Sequence, residues 1–393
     1  MLDSKKSKKI IGDVFIEIAN GIESGKFGEK IKIGLTTLGS EHGEDNILKG
    51  AELASKKYPN IEVVLIGPKL DTSLDIIEAK TEETMYEKME ELLDKDYIQA
   101  CVTMHYNFPI GVSTVGKVIT PGLGRDMFIA TTTGTTAAKR IEAMIKNTIN
   151  GIIAAKASGI DNPTIGILNV DGANQVEIAL KKLKANGYDI NFGETLRSHG
   201  GCIMRGNDLL AGSVDIMVTD TLTGNILMKM FSSFSTGGSY ESLGYGYGPG
   251  IGEDFNRNIL ILSRASGSPV VSNALEYGMN ISQGNISDIR KEEYIQANKY
   301  GLKDIIKNIT KEEKKEKNIK VKIPEKEIVT SQISGIDIMD LEDAVKVLWQ
   351  EKVYAESGMG CTGPVILVSD DKLEKSVEIL ISKEFIVSEK QDC

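Results

Sequence analysis

The stretch IKIGLTTLGSEHGEDNILKGAELASKKYPNIEVVLI, Ile31 to Ile66, decides the fold class. It opens with the apolar run Ile31 to Leu35, crosses a polar loop containing glycine, and enters a helix from about Asp45 to Lys57. A second apolar run follows from Ile61 to Ile66. That is strand–helix–strand spacing, whose right-handed crossover implies parallel strands.

The alternation continues in both directions. Upstream, Ile10, Ile11, Val14, Phe15 and Ile18 fall at helical spacing behind a lysine-rich start. Downstream, the pattern predicts a helix over Thr81–Leu93, strands around Ile98–Val102 and Met127–Ala130, and a long helix from about Thr135 to Ala157. Asp161-Asn162-Pro163 breaks the chain, and a second unit opens with strand Thr164–Val170 and helix Asn174–Ala185, with Gly187 as its C′ residue. Strand Val214–Thr219 runs through Asp220-Thr221-Leu222-Thr223-Gly224-Asn225 into a helix rich in Met and Leu.

The run Gly237–Gly252 carries so many glycines that it is expected to be loop. Strand Ile259–Leu262 follows and leads into Ser263-Arg264-Ala265-Ser266-Gly267-Ser268-Pro269. Lys303 to Glu327 is dense in Lys and Glu, the signature of a solvated helix or mobile linker. Beyond it come helix Asp340–Gln350, strand Val365–Ser369 and a last helix. Asp371 and Glu374 fit a capping box there, with Leu373, Val377, Leu380 and Ile381 as its buried stripe.

At 393 residues the chain has room for two or three domains. Its 46 basic and 56 acidic residues give a formal net charge of −10, which argues against a general nucleic-acid binder. No segment offers the roughly 20 apolar residues of a membrane span, and the start lacks a signal peptide's apolar core, so a cytoplasmic protein is expected. Four scattered cysteines, Cys101, Cys202, Cys361 and Cys393, contain no C-x-x-C pair, and the three histidines are dispersed. Neither a disulfide framework nor a metal site is suggested.

Several residues have the chemistry of a site. The loop Leu38–Asp45 follows a strand and contains glycines that let backbone N–H groups converge on an anion, with His42 at its centre. A lone histidine such as His42 is more often a hydrogen-bonded structural residue than a catalyst. Its spacing is not G-x-G-x-x-G, so nothing there specifies a dinucleotide and a nicotinamide dehydrogenase is disfavoured. Asp220, Thr223, Gly224 and Asn225 place a carboxylate, a hydroxyl, a glycine and an amide at a strand-to-helix junction, where helix capping alone would also explain Asp220 or Thr223. Arg264, leaving a strand among Ser263, Ser266 and Ser268, suits phosphate by its fork of donors, although a surface arginine would look the same in isolation.

The cysteine in Glu356-Ser357-Gly358-Met359-Gly360-Cys361-Thr362-Gly363 is either a small turn residue or a nucleophile. Amides around Gly360, Thr362 and Gly363 would lower its thiol pKa and hold a thioester oxyanion. Cys101, at a strand end, is a second candidate nucleophile, with burial as its alternative.

Taken together, the motifs resemble known families. Lys32 to Gly67 looks like the opening of the acyl-ACP:phosphate acyltransferases. VDIMVTDTLTGNILMKM resembles the strand, Asp and Gly-Asn helix of those enzymes and of phosphate acetyltransferases, and YGPGIG with ILILSRASGSP resembles their late glycine-rich segment and Ser-Arg loop. Where phosphate acetyltransferases carry an aspartate a few residues after Ser-Arg, this chain has Ser268-Pro269-Val270-Val271. The resemblance implies an isocitrate/isopropylmalate dehydrogenase-like α/β fold of two domains with a cleft between them, plus a C-terminal βα extension. Domain 1 would span 1–150, completed by 271–300. Domain 2, with the phosphate loops, would span 151–270, followed by a charged helix or linker over 301–335 and a segment carrying Cys361 over 336–393.

YAESGMGCTGPVILVS, preceded by SGIDIMDLEDAVKVLWQEKV, resembles the alpha subunit of component C of the glycine/sarcosine/betaine reductase complexes of amino-acid-fermenting anaerobes. This implies an acetyl thioester on Cys361 that inorganic phosphate cleaves to acetyl phosphate, with no bound cofactor. It also implies a condensing-enzyme-like component C beta subunit and a small selenoprotein carrying a carboxymethyl group as partners, within a homo- or hetero-oligomer. A freestanding phosphate acyltransferase using CoA or acyl carrier protein thioesters, or a non-catalytic scaffold subunit, are the alternatives.

Overall fold

The structure, a computed structural model, describes residues 30–198, 200–316, 322–336, 340–360, 363–383 and 385–386, with Gly12, Phe15, Ile16 and Ile18. The amphipathic helix expected over Ile10 to Ile18 lies largely outside the described residues. The chain divides into two units, Met1–Ile309 and Thr310–Cys393.

The opening stretch folds as its pattern requires. Strand β1 (Ile31–Thr36), helix α1 (Glu44–Lys57) and strand β2 (Ile61–Gly67) form a parallel unit in which Ile31 pairs with Ile61 and Leu35 with Leu65. Strand β3 (Asp75–Glu78) and helix α2 (Glu82–Asp94) follow, the helix capped by the Thr81 hydroxyl and Thr84. Strand β4 (Ala100–Thr103) then pairs parallel with β1. Burial of both sheet faces makes these strands near-continuous apolar runs. Alternation still sorts their side chains: Ile33, Leu35, Ala100 and Val102 enter one core, while Cys101, Val64 and Ile66 enter the other.

Strand β5 (Val112–Ile119) has no counterpart in the sequence reading. Its interior holds Ser113 and Thr114, which hide the apolar pattern because their hydroxyls bond inside the protein, Ser113 to Asn147 at 3.0 Å and Thr114 with Thr132 at 2.7 Å. Strand β6 (Asp126–Thr135) pairs antiparallel with β5 and is ten residues long, so helix α3 begins only at Arg140 and ends at Ala157. A domain boundary at 150 would fall within this buried helix.

Next come β7 (Thr164–Leu168), α4 (Ala173–Ala185), the short strands β8 (Asn191–Phe192) and β9 (Ile203–Met204), α5 (Gly206–Ala211), β10 (Ile216–Val218) and α6 (Thr221–Ser233). The glycine run is not wholly loop, because Gly248–Ile251 forms strand β11, antiparallel to both β5 and β12 (Ile259–Ile261). Glycine is required there by crowding, since a Cβ on Gly248 would lie 1.8 Å from the Val115 carbonyl oxygen and one on Gly250 2.3 Å from the Phe108 ring. Helices α7 (Ser268–Gln283), α8 (Ile286–Lys299) and α9 (Leu302–Glu316) follow.

The twelve strands of the first unit make one mixed sheet, ordered β3-β2-β1-β4-β12-β11-β5-β6-β10-β7-β8, with β9 beside β7. Strands β3, β2, β1, β4 and β12 are mutually parallel. The block β6, β10, β7, β8 and β9 is parallel within itself and, through antiparallel β11 and β5, runs the opposite way. Val218, ending β10, pairs with Ala130, which pairs with Val115 of β5. Ile261, ending β12, pairs with Gly248 of β11. Carboxyl ends of opposed blocks thus meet across β11 and β5, the kind of switch point at which open α/β sheets place ligands.

In the second unit, β13 (Ser331–Ile333), β15 (Gly363–Val368) and β14 (Ala355–Gly360) form an antiparallel sheet in that order. Its core joins Ile333, Ile366 and Val368 to Ala344, Val345 and Leu348 of α10 (Leu341–Gln350) and Leu380 of α11 (Leu373–Ser382). The capping box expected from Asp371 and Glu374 does not form. Asp370–Lys372 make a 3-10 turn, Lys372 occupies the N-cap, and the Asp370 carboxylate takes the Ser331 hydroxyl instead.

Candidate active site

Three segments close on one another at the carboxyl ends of β1 and β12. The Glu41 N–H donates to the Arg264 carbonyl at 2.9 Å, and a ring nitrogen of His42 lies 3.2 Å from the Ala265 carbonyl. Asn46 uses both ends of its amide, donating to the Ser266 carbonyl and accepting from the Ser268 N–H, each at 2.9 Å. The third segment is Tyr240-Glu241. The Glu241 N–H donates to the Ala265 carbonyl at 3.1 Å and the Gly267 N–H to the Glu241 carbonyl at 2.8 Å, while Tyr240 meets His42 edge-on at 6.1 Å. Residues Thr37–Ser40 and His42–Asp45 line a cavity of about 390 Å³.

Within this frame Arg264 is exposed, and its guanidinium has no hydrogen-bond or ion-pair partner among the described residues. It lies near enough to Tyr86 of α2 to oppose the upward shift that burial gives that phenol. Ser263 and Ser266, grouped with Arg264 by sequence, are buried. They brace the loop: the Ser263 hydroxyl accepts from the Ala265 N–H at 3.3 Å, and the Ser266 hydroxyl donates to Glu241 at 3.1 Å.

The start of α6 approaches this group beside one phenol. Tyr247, at the entrance to β11, has its phenol near Ser263 and Asn225, which oppose the upward shift that burial, reinforced by Glu241, gives its pKa. Asn225 also donates to the Thr132 carbonyl at 3.1 Å. Gly224 lets the helix approach β6, because a Cβ there would stand 1.7 Å from the Thr131 carbonyl oxygen. Asp220 is the N-cap of α6, accepting from the Leu222 and Thr223 N–H groups at 3.1 Å and from the Thr223 hydroxyl at 2.7 Å. Both side chains are engaged in capping.

Cys101 stands apart from these residues. It is fully buried in β4, its thiol donates only a long 3.7 Å contact to the Val102 carbonyl, and burial pushes its pKa well up. That is the setting of an inert core thiol. Cys361 and Thr362 lie outside the described residues. Gly360 ends β14, Gly363 begins β15, and the two pair with each other. No group of three or more His, Cys, Asp or Glu side chains among the described residues is arranged to hold a metal ion. No described helix is long and apolar enough to cross a membrane.

Sequence reasoning missed Asn46, Tyr247 and Glu241. For Glu241 a signal exists: it is the one charged residue between Lys229 and Glu253.

A family model described as "Fatty acid synthesis protein" matches residues 31–367. A phosphate acyltransferase of Thermotoga petrophila is 27% identical over 237 residues, 51% of this chain and 67% of that protein. A branched-chain phosphotransacylase structure from Enterococcus faecalis V583 covers 64% of this chain and 99% of its own, at 18% identity and a TM-score of 0.47. The glycine/sarcosine/betaine reductase complex component C subunit alpha of Peptoclostridium acidaminophilum is 60% identical over 374 residues, 95% of this chain and 97% of that subunit. Sheet and sequence define an α/β protein related to the phosphate acyltransferases. Within that class the chain belongs to the family of component C alpha subunits of glycine/sarcosine/betaine reductase complexes.

Proposed function

We propose that this subunit performs the acyl-transfer step of its complex, carrying an acetyl group on Cys361 as a thioester and releasing it to inorganic phosphate. The acetyl group arises from the carboxymethyl group on the selenocysteine of a small selenoprotein by two-electron reductive cleavage of the C–Se bond, a thiol reductant supplying the electrons and one carboxylate oxygen leaving as water as the thioester forms. A condensing-enzyme-like beta subunit completes component C. In the release step a phosphate oxygen forms a bond to the carbonyl carbon, the C–S bond breaks, and acetyl phosphate departs as the thiolate is regenerated. A thioester retains the acyl-transfer potential that an oxygen ester would lose.

The observation that carries the reading is Arg264, an exposed guanidinium without a neutralising carboxylate among the described residues, held beside the His42 loop by the Glu41–Arg264 backbone bond. Such a fork suits a phosphate dianion. His42 and Asn225 are the further groups we assign to phosphate, and the amides of Gly360, Thr362 and Gly363 to the oxyanion; the Gly224 N–H is already engaged by the Asp220 carbonyl at 3.0 Å. Ser263 and Ser266 support the loop, and Asp220 and Thr223 support the start of α6.

The test is incubation with acetyl phosphate followed by peptide mass mapping, alongside phosphate-dependent acetyl release by Cys361→Ser. Acetate on the Cys361 peptide, and loss of release in the variant, are expected. Full release by C361S would remove the assignment. Turnover of acetyl-CoA or an acyl carrier protein thioester with an unmodified Cys361 would favour the second reading, a phosphate acyltransferase, to which the Thermotoga petrophila relative points.

A further inference from the structure

Glu241 has a position that neither capping nor core packing explains. Its side chain is 4% exposed, and no cation pairs with it among the described residues. The one hydrogen bond to its carboxyl group among the described residues comes from the Ser266 hydroxyl, at 3.1 Å. Taking a carboxyl group out of water for a single hydroxyl donor is costly. An apolar residue would have filled the space at lower cost, and its neighbours from Met230 to Gly252 are all uncharged.

The contacts of Glu241 concentrate on the turn that bears Arg264. Its N–H and carbonyl bond Ala265 and Gly267, forming an isolated parallel bridge with Ser266, and its side chain takes the hydroxyl of Ser266 itself. Ser263–Gly267 is therefore gripped from the interior at three points, while Glu41 and Asn46 hold it from the other side. A turn fixed on both sides leaves one freely placed group, the Arg264 guanidinium on its outer surface. Glu241 also acts electrostatically on Tyr247, whose phenol lies near Ser263 and Asn225, so one acid is placed close to both segments assigned to phosphate.

We propose that Glu241 is a positioning residue for phosphate, holding Ser266 and Gly267 from within so that Arg264 is presented in the orientation that captures the anion. This rests on the phosphate-binding reading given above. The role is preorganisation: an unbraced turn would have to be ordered at the expense of binding energy each time phosphate arrives.

The experiment measures inorganic phosphate binding to the full chain by calorimetry, together with the kinetics of phosphate-dependent acetyl release. Glu241→Ala removes the acceptor and leaves the Ser266 hydroxyl buried without a partner. A rise of ~10-fold or more in Kd and in KM for phosphate is expected, the scale of one lost hydrogen bond to a charged group. The maximal rate at saturating phosphate is expected to stay within about twofold, because no reacting atom is touched. Glu241→Gln, whose amide oxygen can still accept from Ser266, is expected to restore Kd to within about threefold of the parent chain.

An unchanged Kd in E241A, or an E241Q variant as impaired as E241A, overturns the proposal. If E241A does not fold, Ser266→Ala removes the same bond from its other end. The same rise in Kd then supports the proposal and an unchanged Kd overturns it. Parent protein that binds phosphate but releases no acetyl phosphate would sink the proposed reaction while leaving the Glu241 comparison intact. Parent protein that binds no phosphate sinks both.

Discussion

The Glu41 N–H donates to the carbonyl oxygen of Arg264 at 2.9 Å, tying the loop after the first strand to a turn more than two hundred residues later. Because this bond uses backbone atoms, the Arg264 side chain can be changed without undoing the loop. Arg264→Ala is expected to weaken phosphate binding by ~10-fold or more, as loss of a charge-assisted interaction should. R264K keeps the charge but not the fork, and is expected to recover only part of it. Denaturation midpoints should barely move, since exposed substitutions away from special features stay within about 0.5 kcal/mol. Phosphate titration and urea unfolding of the two variants check this. Undiminished affinity in R264A would remove the arginine from the site.

Gly224 gives a prediction of the opposite kind, concerning stability. The methyl group of Gly224→Ala would sit 1.7 Å from a backbone oxygen of Thr131, which cannot swing aside as a side chain can. Helix α6 must shift off β6, at a cost of ~1–3 kcal/mol. Asn225 would move with it and stretch its bond to the Thr132 carbonyl. G224A should lower the urea midpoint and weaken phosphate binding together. A variant of full stability would show that the approach of α6 to β6 is looser than described.

Why some of this was legible and some not follows from the range of the interactions. The unit from Ile31 to Gly67 was readable because its evidence is local: apolar runs, helical spacing and the length of the connection. Strand β11 was not, because glycine there answers to Val115 and Phe108, each distant in sequence. The site divides the same way. His42 and Arg264 as loop residues, and Asn225 at a strand-to-helix junction, could be named for suitable chemistry. That Asn46 binds the Ser266 backbone 220 positions away leaves no local trace. Ser263 and Ser266 looked like ligands because exposure is not written in a loop's composition, and burial reassigns them to support.

Cys101 offers a control for the cysteine chemistry. Its thiol is sealed in β4 against Gly34, where an added Cβ would lie 2.9 Å from the sulfur, and burial disfavours the thiolate. Alkylation at about pH 8 should therefore label Cys101 only after unfolding, because the thiolate is the reactive form. Cys101→Ala should retain phosphate-dependent acetyl release within about twofold, as an inert core position allows. Peptide mapping with and without denaturant reads the first outcome, a release assay the second. Rapid labelling of Cys101 in the native chain would contradict the packing.

Cys202 links a buried thiol to pH. Its sulfur donates to the Glu177 carboxylate at 3.2 Å, and the same carboxylate oxygen is held by Lys181 at 2.9 Å. Burial, with Glu177 adding to it, pushes the thiol up to about 12 from its ordinary 9.0. The folded chain thus keeps a proton that the unfolded chain gives up. Between those two values the unfolded state binds fewer protons, so stability falls as pH rises. The contribution is fully present below about pH 9 and is lost progressively toward about pH 12. Cys202→Ser removes this titration while leaving the buried tyrosines, which also titrate at high pH, common to both proteins. Urea unfolding at steps from about pH 8 to about pH 11 should show the parent chain losing stability faster than C202S over this window. Equal slopes would mean that the thiol reaches water in the folded protein, and that the Cys202–Glu177 contact does not hold the proton in place.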